Sequence, residues 1–243
     1  MRYFCRVAYD GTRYNGWQVQ PDAPSVQQHL EEKAAIVLRH PVAVTGGGRT
    51  DAGVHAEAQG MHFDTGEKLD CYRFAGSMNA LLPDDIAIFN VQSVDDSFHA
   101  RYSAIRRSYR YRICFRKMPL LVDRAWHVKY DIDWGLVMIQ LPALLGKHDF
   151  TPFCAAGSGS ATAICTVFSA AIERDGDLVV FSIEANRFVY KMVRSIVGTL
   201  VDIGRGMQTL TLKQILKSGD RSLAGTTAPS SGLVLTSVGY KEV

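Results

Sequence analysis

Cysteine is scarce in this chain, and the little there is suits no site. The five are Cys5, Cys71, Cys114, Cys154 and Cys165, an odd count with no C-x-x-C spacing. That argues against a disulfide framework or a zinc site and leaves free thiols. The seven histidines make no H-E-x-x-H motif, so no metal is assigned. No apolar run approaches the roughly 20 residues that span a bilayer. The opening Met1-Arg2-Tyr3-Phe4-Cys5-Arg6 carries charge inside its apolar run and lacks a signal-peptide core. The expected setting is therefore the cytoplasm, away from any membrane. Disorder is excluded as well, because 47% of residues are hydrophobic and only 21% charged. The 243 residues allow one large domain or two ordinary ones.

Acid is absent where base is dense. From Arg101 to Lys117 there are seven cations and no Asp or Glu. Residues 1–104 hold 9 Lys and Arg against 13 Asp and Glu, and residues 105–243 hold 18 against 11. The net charge of +3 thus sits on a basic second half, which suits a polyanionic partner.

What is present is organised around Gly46-Gly47-Gly48-Arg49-Thr50-Asp51-Ala52-Gly53-Val54-His55. Glycines flank a single acid, and apolar strand-like pieces lie on both sides, Pro41 to Val44 and Gln59 to Phe63. Asp51 is expected on a tight loop between two strands. Three readings stand. An Asp in such a loop is commonly a turn former. A phosphate loop would need Gly-Lys-Ser/Thr, and no such Lys follows. A catalytic carboxylate would be kept ionised by a neighbouring cation such as Arg49.

Gly48-Arg49-Thr50-Asp51-Ala52-Gly53-Val54-His55 resembles the catalytic motif of the tRNA pseudouridine synthase A (TruA) family. On that resemblance Asp51 is the catalytic aspartate. Further stretches resemble the family in the same order along nearly the whole chain.

Tyr3, Cys5, Val7 and Tyr9 alternate as a strand. Asp10-Gly11-Thr12-Arg13-Tyr14-Asn15-Gly16-Trp17-Gln18 follows and resembles the family's opening RNA-touching loop. That places Arg13, Tyr14 and Gln18 in the RNA-binding set, although the aromatics could equally pack. Ser25 and Gln28 read as a capping box for a helix whose apolar face is Val26, Leu30, Ala34, Val37 and Leu38. A second helix is expected over Leu69 to Leu82 and a strand over Ile86 to Val94.

In Arg106-Arg107-Ser108-Tyr109-Arg110-Tyr111-Arg112-Ile113, strand geometry puts the tyrosines on one face and Arg110 and Arg112 on the other. Arginines among aromatics suit phosphate neutralisation with base stacking; a solvated Arg face over a buried aromatic face is the plainer reading. The resemblance makes Tyr109 the residue that stacks on the target uracil and leaves Arg106, Arg107 and Arg110 for RNA. Ser108 stands where relatives commonly carry a cation.

Ile132 to Gly146 reads as a helix with a kink near Pro142. Thr151 to Ile172 carries no charge and holds Gly157-Ser158-Gly159-Ser160, a loop followed by a strand. Leu178 to Ala185 reads as a strand. Asn186 to Leu200 reads as a long helix with Arg187, Lys191 and Arg194 one turn apart. That segment resembles the family's F-x-x-x-M-V-R-x-x-V-G-x-L helix, whose Arg pairs with the catalytic Asp. The resemblance carries that role to Arg194 and adds Lys191 to the RNA-binding set. Ala228-Pro229-Ser230-Ser231-Gly232-Leu233 resembles an A-P-x-x-G-L motif in which Leu233 packs against the target base. A last strand is expected over Leu233 to Tyr240.

The resemblance implies an α+β fold of two domains, 1–104 and 105–243, with mainly antiparallel sheets joined into one mixed sheet and a central cleft. It implies a homodimer without cofactor or metal. It also implies isomerisation of uridine to pseudouridine at positions 38, 39 and 40 of the tRNA anticodon arm. Two alternatives stay open: a non-catalytic tRNA-binding or folding protein, and a pseudouridine synthase for a different RNA.

Overall fold

A computed structural model describes residues 1–157 and 161–241. It has an α+β fold of ten strands and five α-helices among the described residues. The chain divides into two compact units. Met1–Ile105 forms the first, joined by the chain from Val234 onward, and Arg106–Leu233 forms the second. The expectation from sequence ran the second domain to residue 243; the last strand instead counts with the first unit.

In the first unit, β1 (Arg2–Tyr9) lies between β3 (His55–Asp64) and β4 (Ile86–Val94), antiparallel to both. β2 (Val44–Gly46) adds antiparallel to β3. The final strand, β10 (Leu233–Tyr240), adds parallel to β3, with Val234 opposite His55. Tyr3, Cys5, Val7 and Tyr9 are all buried, as their alternation predicts. Helices α1 (Val26–Leu38) and α2 (Cys71–Leu81) complete this unit. Ser25 caps α1 by accepting from Gln28 N–H at 3.3 Å. The Gln28 side chain donates to Glu32 at 2.9 Å, so the expected capping box is half made. Asp70 caps α2.

In the second unit, β5 (Ala104–Cys114), β9 (Leu178–Ala185), β8 (Ile164–Asp175) and β7 (Gly146–Asp149) pair antiparallel in that order. A short β6 (Trp126–His127) runs parallel to β5. Three helices complete this unit: α3 (Trp134–Met138), α4 (Met192–Gly204) and α5 (Leu212–Ser218). Every residue of α4 except Arg194 is buried, so this helix is the unit's core element.

Two helix expectations change. The stretch Ile132 to Leu145 holds only α3 and a 3-10 turn, Leu141–Leu144, and Gly146 already opens β7. Pro142 has no N–H to donate and would crowd the carbonyl one turn back, so an α-helix cannot run through it. The helix expected from Asn186 begins six residues later. Asn186 exchanges backbone and side-chain bonds with Thr166, and the Tyr190 carbonyl accepts from Ala155 N–H at 3.0 Å. Those groups are committed elsewhere, and Lys191 turns the chain with φ of 59° before α4 starts. Arg187 and Lys191 therefore precede the helix and form no stripe with Arg194. The run Ser158-Gly159-Ser160, read from sequence as a loop, lies outside the described residues.

Candidate active site

The Asp51 loop joins β2 to β3. Its backbone is tied down where it leaves β2. Gly47 N–H donates to Gly60 O at 2.6 Å, and Gln59 Nε2 donates to Gly48 O at 2.8 Å. Beyond Asp51 the chain turns, with Val54 N–H on Asp51 O at 3.1 Å. Asp51 itself is half-buried and Arg49 exposed.

The opening loop, residues 10–18, is laid against this turn. Trp17 N–H donates to Thr50 O at 3.1 Å, and Gly53 N–H donates to Tyr14 O at 3.2 Å. Tyr9 Oη and Thr50 Oγ1 lie 2.8 Å apart in the interior. Asp51 is thus bracketed: the residue before it and the second residue after it are both bonded to the opening loop. The spacing of glycines there follows from this contact. Gly16 has φ of +88°, and a Cβ on it would run into the Thr50 carbonyl; one on Gly11 would run into Val54 O.

Asp85 secures the other side of the opening loop. It accepts from Arg13 Nε at 2.8 Å and from Tyr14 Oη at 2.6 Å. Tyr14 is only 5% exposed. Burial, with the bond to Asp85 second, pushes its phenol well above the ordinary range. The ring meets His29 edge-on at 5.5 Å. Tyr14 is therefore packed, whereas Arg13 and Gln18 of the same loop are exposed.

The second unit carries the remaining candidates. Tyr109 lies half-buried on β5, opposite Ile183, with its ring edge-on to Phe188 at 5.0 Å. Two residues on and on the same face, Tyr111 is buried and donates to Pro229 O at 2.8 Å. Burial drives the Tyr111 phenol far up, partly offset by the charge of Arg194. Arg194, on the first turn of α4, donates from Nε to Ala228 O at 2.8 Å, while Ala228 N–H returns to Arg194 O at 3.1 Å. The structure thus brings Arg194 and the Ala228–Leu233 segment together, with Tyr111 bonded to the same segment. Leu233 is 6% exposed.

The basic strand is partly answered within the chain. Glu184 of β9, opposite Ser108, meets Arg106 at 3.1 Å and accepts from Ser108 Oγ at 2.9 Å. Arg107 donates to Asn186 O at 2.8 Å. Arg106 is still about half exposed, so its ion pair is weak, roughly 0–1 kcal/mol. Arg110 is half-buried. Lys191 holds its ammonium 5.0 Å from the Tyr190 ring centre.

Asp85, Glu184 and Tyr111 anchor these candidates, and none stands out in sequence as an anchor. Asp85 lies 71 residues from Tyr14 and Glu184 lies 76 from Ser108, so no local pattern could pair them. Among the described residues no group of three or more His, Cys, Asp or Glu could hold a metal ion.

The family model described as tRNA pseudouridine synthase matches residues 6–103 and 141–241. The tRNA pseudouridine synthase A of an Exiguobacterium species is 40% identical over 238 residues, 98% of this chain and 97% of that protein. The protein of the same name from a Thermoanaerobacter species is 43% identical, covering 96% of this chain and 97% of its own length. The one from Neorickettsia sennetsu is 41% identical, covering 99% and 100%. A structure titled "Crystal Structure of a Cbf5-Nop10-Gar1 Complex" aligns with 98% of this chain and 59% of its own at 11% identity; its TM-score of 0.39 is too low to carry weight. With Asp51 inside the first matched block and Arg194 and Leu233 inside the second, the chain belongs to the tRNA pseudouridine synthase family.

Proposed function

We propose that this protein is an isomerase that converts uridine to pseudouridine in tRNA, acting on the anticodon arm, with Asp51 as its catalytic carboxylate. The observation that carries the reading is the bracketed loop: one acid, flanked by glycines, with Thr50 and Gly53 each bonded to the opening loop. Such a frame holds a reacting group in one geometry without relying on mobile side chains.

The reaction must break the N1–C1′ bond, turn the uracil, form C5–C1′, release the C5 proton and place a proton on N1, so that atoms and charge balance. A carboxylate at this place can add to C1′ or take a proton from the sugar. The detached base must be held while it turns. On the family resemblance Tyr109 offers an aromatic face for it, Leu233 an apolar wall, and Arg194 the cation assigned to the catalytic carboxylate. A paired uridine must first leave its stack, which costs a few kcal/mol and is repaid by pocket contacts. Arg106, Arg107, Arg110 and Lys191 then contribute phosphate contacts, and Arg13, Gln18 and Arg49 belong to the same proposed RNA-contacting set on the family resemblance. Tyr14 supports the opening loop from within. A homodimer working in the cytoplasm without cofactor belongs to the same proposal and rests on the family resemblance.

Unmodified tRNA carrying C5-tritiated uridine tests this directly. Purified protein should release tritium, and the new pseudouridines should map to the anticodon arm. Binding without release would favour a tRNA-binding protein; release from another region would keep the chemistry and move the target.

A further inference from the structure

Arg194 is the one residue of α4 that is not buried, and its orientation is set from outside the helix. The segment Gly225–Ala228 runs along α4 and is fastened to it at successive turns. Gly225 N–H donates to Thr199 Oγ1 at 2.9 Å, and Thr199 Oγ1 donates in turn to Ser195 O at 2.8 Å. Asp202 accepts at one carboxylate oxygen from both Thr226 N–H, at 2.9 Å, and Thr226 Oγ1, at 3.1 Å. Ala228 closes the series with its two bonds to Arg194. A Cβ on Gly198 would collide with the Thr226 carbonyl, so the segment lies as close to the helix as backbone allows.

Residues 194, 198 and 202 fall on one face, four apart. Asp202 therefore lies about 12 Å along the axis from Arg194; it bonds Thr226, whereas Arg194 bonds Ala228. Asp202 is 8% exposed. A carboxylate this deep is costly unless its oxygens are answered. Thr226 answers one; the other lies 3.9 Å from Arg205, whose guanidinium stacks 3.7 Å from the Tyr130 ring centre. Plain packing of the segment would be served as well by an apolar residue. A buried acid aimed at one backbone N–H fixes register instead.

We infer that Asp202 is a positioning residue for the pseudouridine-forming centre: by clamping Thr226 it sets the Gly225–Ala228 segment, and that segment sets the Arg194 guanidinium. This rests on the role proposed above for Arg194. It also places Asp202 upstream of Leu233, because the clamped segment continues through Pro229, held by Tyr111, into that residue.

The test compares Asp202→Ala, Asp202→Asn and Arg194→Ala in the full-length protein. It reads single-turnover tritium release at saturating tRNA, tRNA affinity and thermal unfolding. Asp202→Ala should slow the chemical step by about tenfold to 100-fold, with tRNA affinity unchanged in protein that is still folded. Asp202→Asn keeps an acceptor for Thr226 N–H and should recover most of the loss. If Asp202→Ala does not fold, Thr199→Val, which releases Gly225 N–H, should show the same split between turnover and affinity. Wild-type turnover in folded Asp202→Ala, or a loss confined to affinity, would overturn the inference while Arg194→Ala remains slow. If Arg194→Ala itself turned over normally, the role of Arg194 would fall and this inference with it.

Discussion

The two units hold their candidate residues by different means. Around Asp51 the grip is main chain to main chain: Trp17 to Thr50, Gly53 to Tyr14, Gly47 to Gly60. Around the basic strand it is largely side chain: Arg106 and Ser108 to Glu184, Arg107 to the Asn186 carbonyl. Backbone bonds of this kind are indifferent to salt, whereas exposed ion pairs are screened by it. The contrast matches the division of labour proposed for them. A group that does chemistry needs a fixed place, and groups that meet phosphates need charge and reach.

The contrast can be broken from either side. Gly16→Val forces a branched side chain onto a φ of +88° and into the Thr50 carbonyl. It should cost about 3 kcal/mol or more in stability and sharply reduce turnover. The salt dependence of tRNA binding should keep its slope. Thermal unfolding, turnover at saturating tRNA and a salt titration check the three parts.

His62 gives the first unit a pH dependence. Its ring is buried in the first unit and accepts from Ala100 N–H at 3.1 Å. Burial first, then the charges of Arg2 and His99, lower its pKa from 6.5 to about 4. The unfolded chain thus takes up this proton more readily than the folded one. Stability is full above pH 6.5 and is lost as pH falls toward 4, by at most about 3 kcal/mol. Denaturant titrations across that window should show the slope, and His62→Gln should flatten it.

Neutralising Arg106, Arg107 and Arg110 together to Gln is the reverse of the glycine change. Affinity for tRNA at low salt should fall by about tenfold or more, and the slope of log K against log salt should drop by up to about 0.7–0.9 per lost contact. Turnover at saturating tRNA should stay near wild type. An unchanged slope would make the strand a scaffold only. The smallest effect is expected from Tyr14→Phe. It removes one bond to Asp85 and should cost about 1 kcal/mol in stability, with little change in tRNA affinity.

How much of this could be read from the chain depended on whether the signal was local. β4 and β9 coincide with their apolar patterns because turn residues bound both ends. Asp51 stood out because glycines surround it, and the structure does place it in a loop between two strands. The start of α4 was hidden, since the bonds that stop a helix at Asn186 and Tyr190 reach to Thr166 and Ala155. α5 went unread although Thr211 and Gln214 form a capping box and Gly219 closes the helix in the left-handed region. There the local signal existed. The clamp of Asp202 on Thr226 spans 24 residues, and nothing in the apolar pattern of α4 marks that acid as more than a solvent-facing break.

The central claim is that the Asp51 carboxylate performs the isomerisation and contributes little to holding tRNA. Asp51→Asn keeps the size of the side chain and one acceptor oxygen, and removes its charge. Tritium release and tRNA affinity measured side by side on that variant test the claim most directly. Release should slow by about 10⁴-fold or more, with affinity close to wild type. Release at the wild-type rate would contradict it.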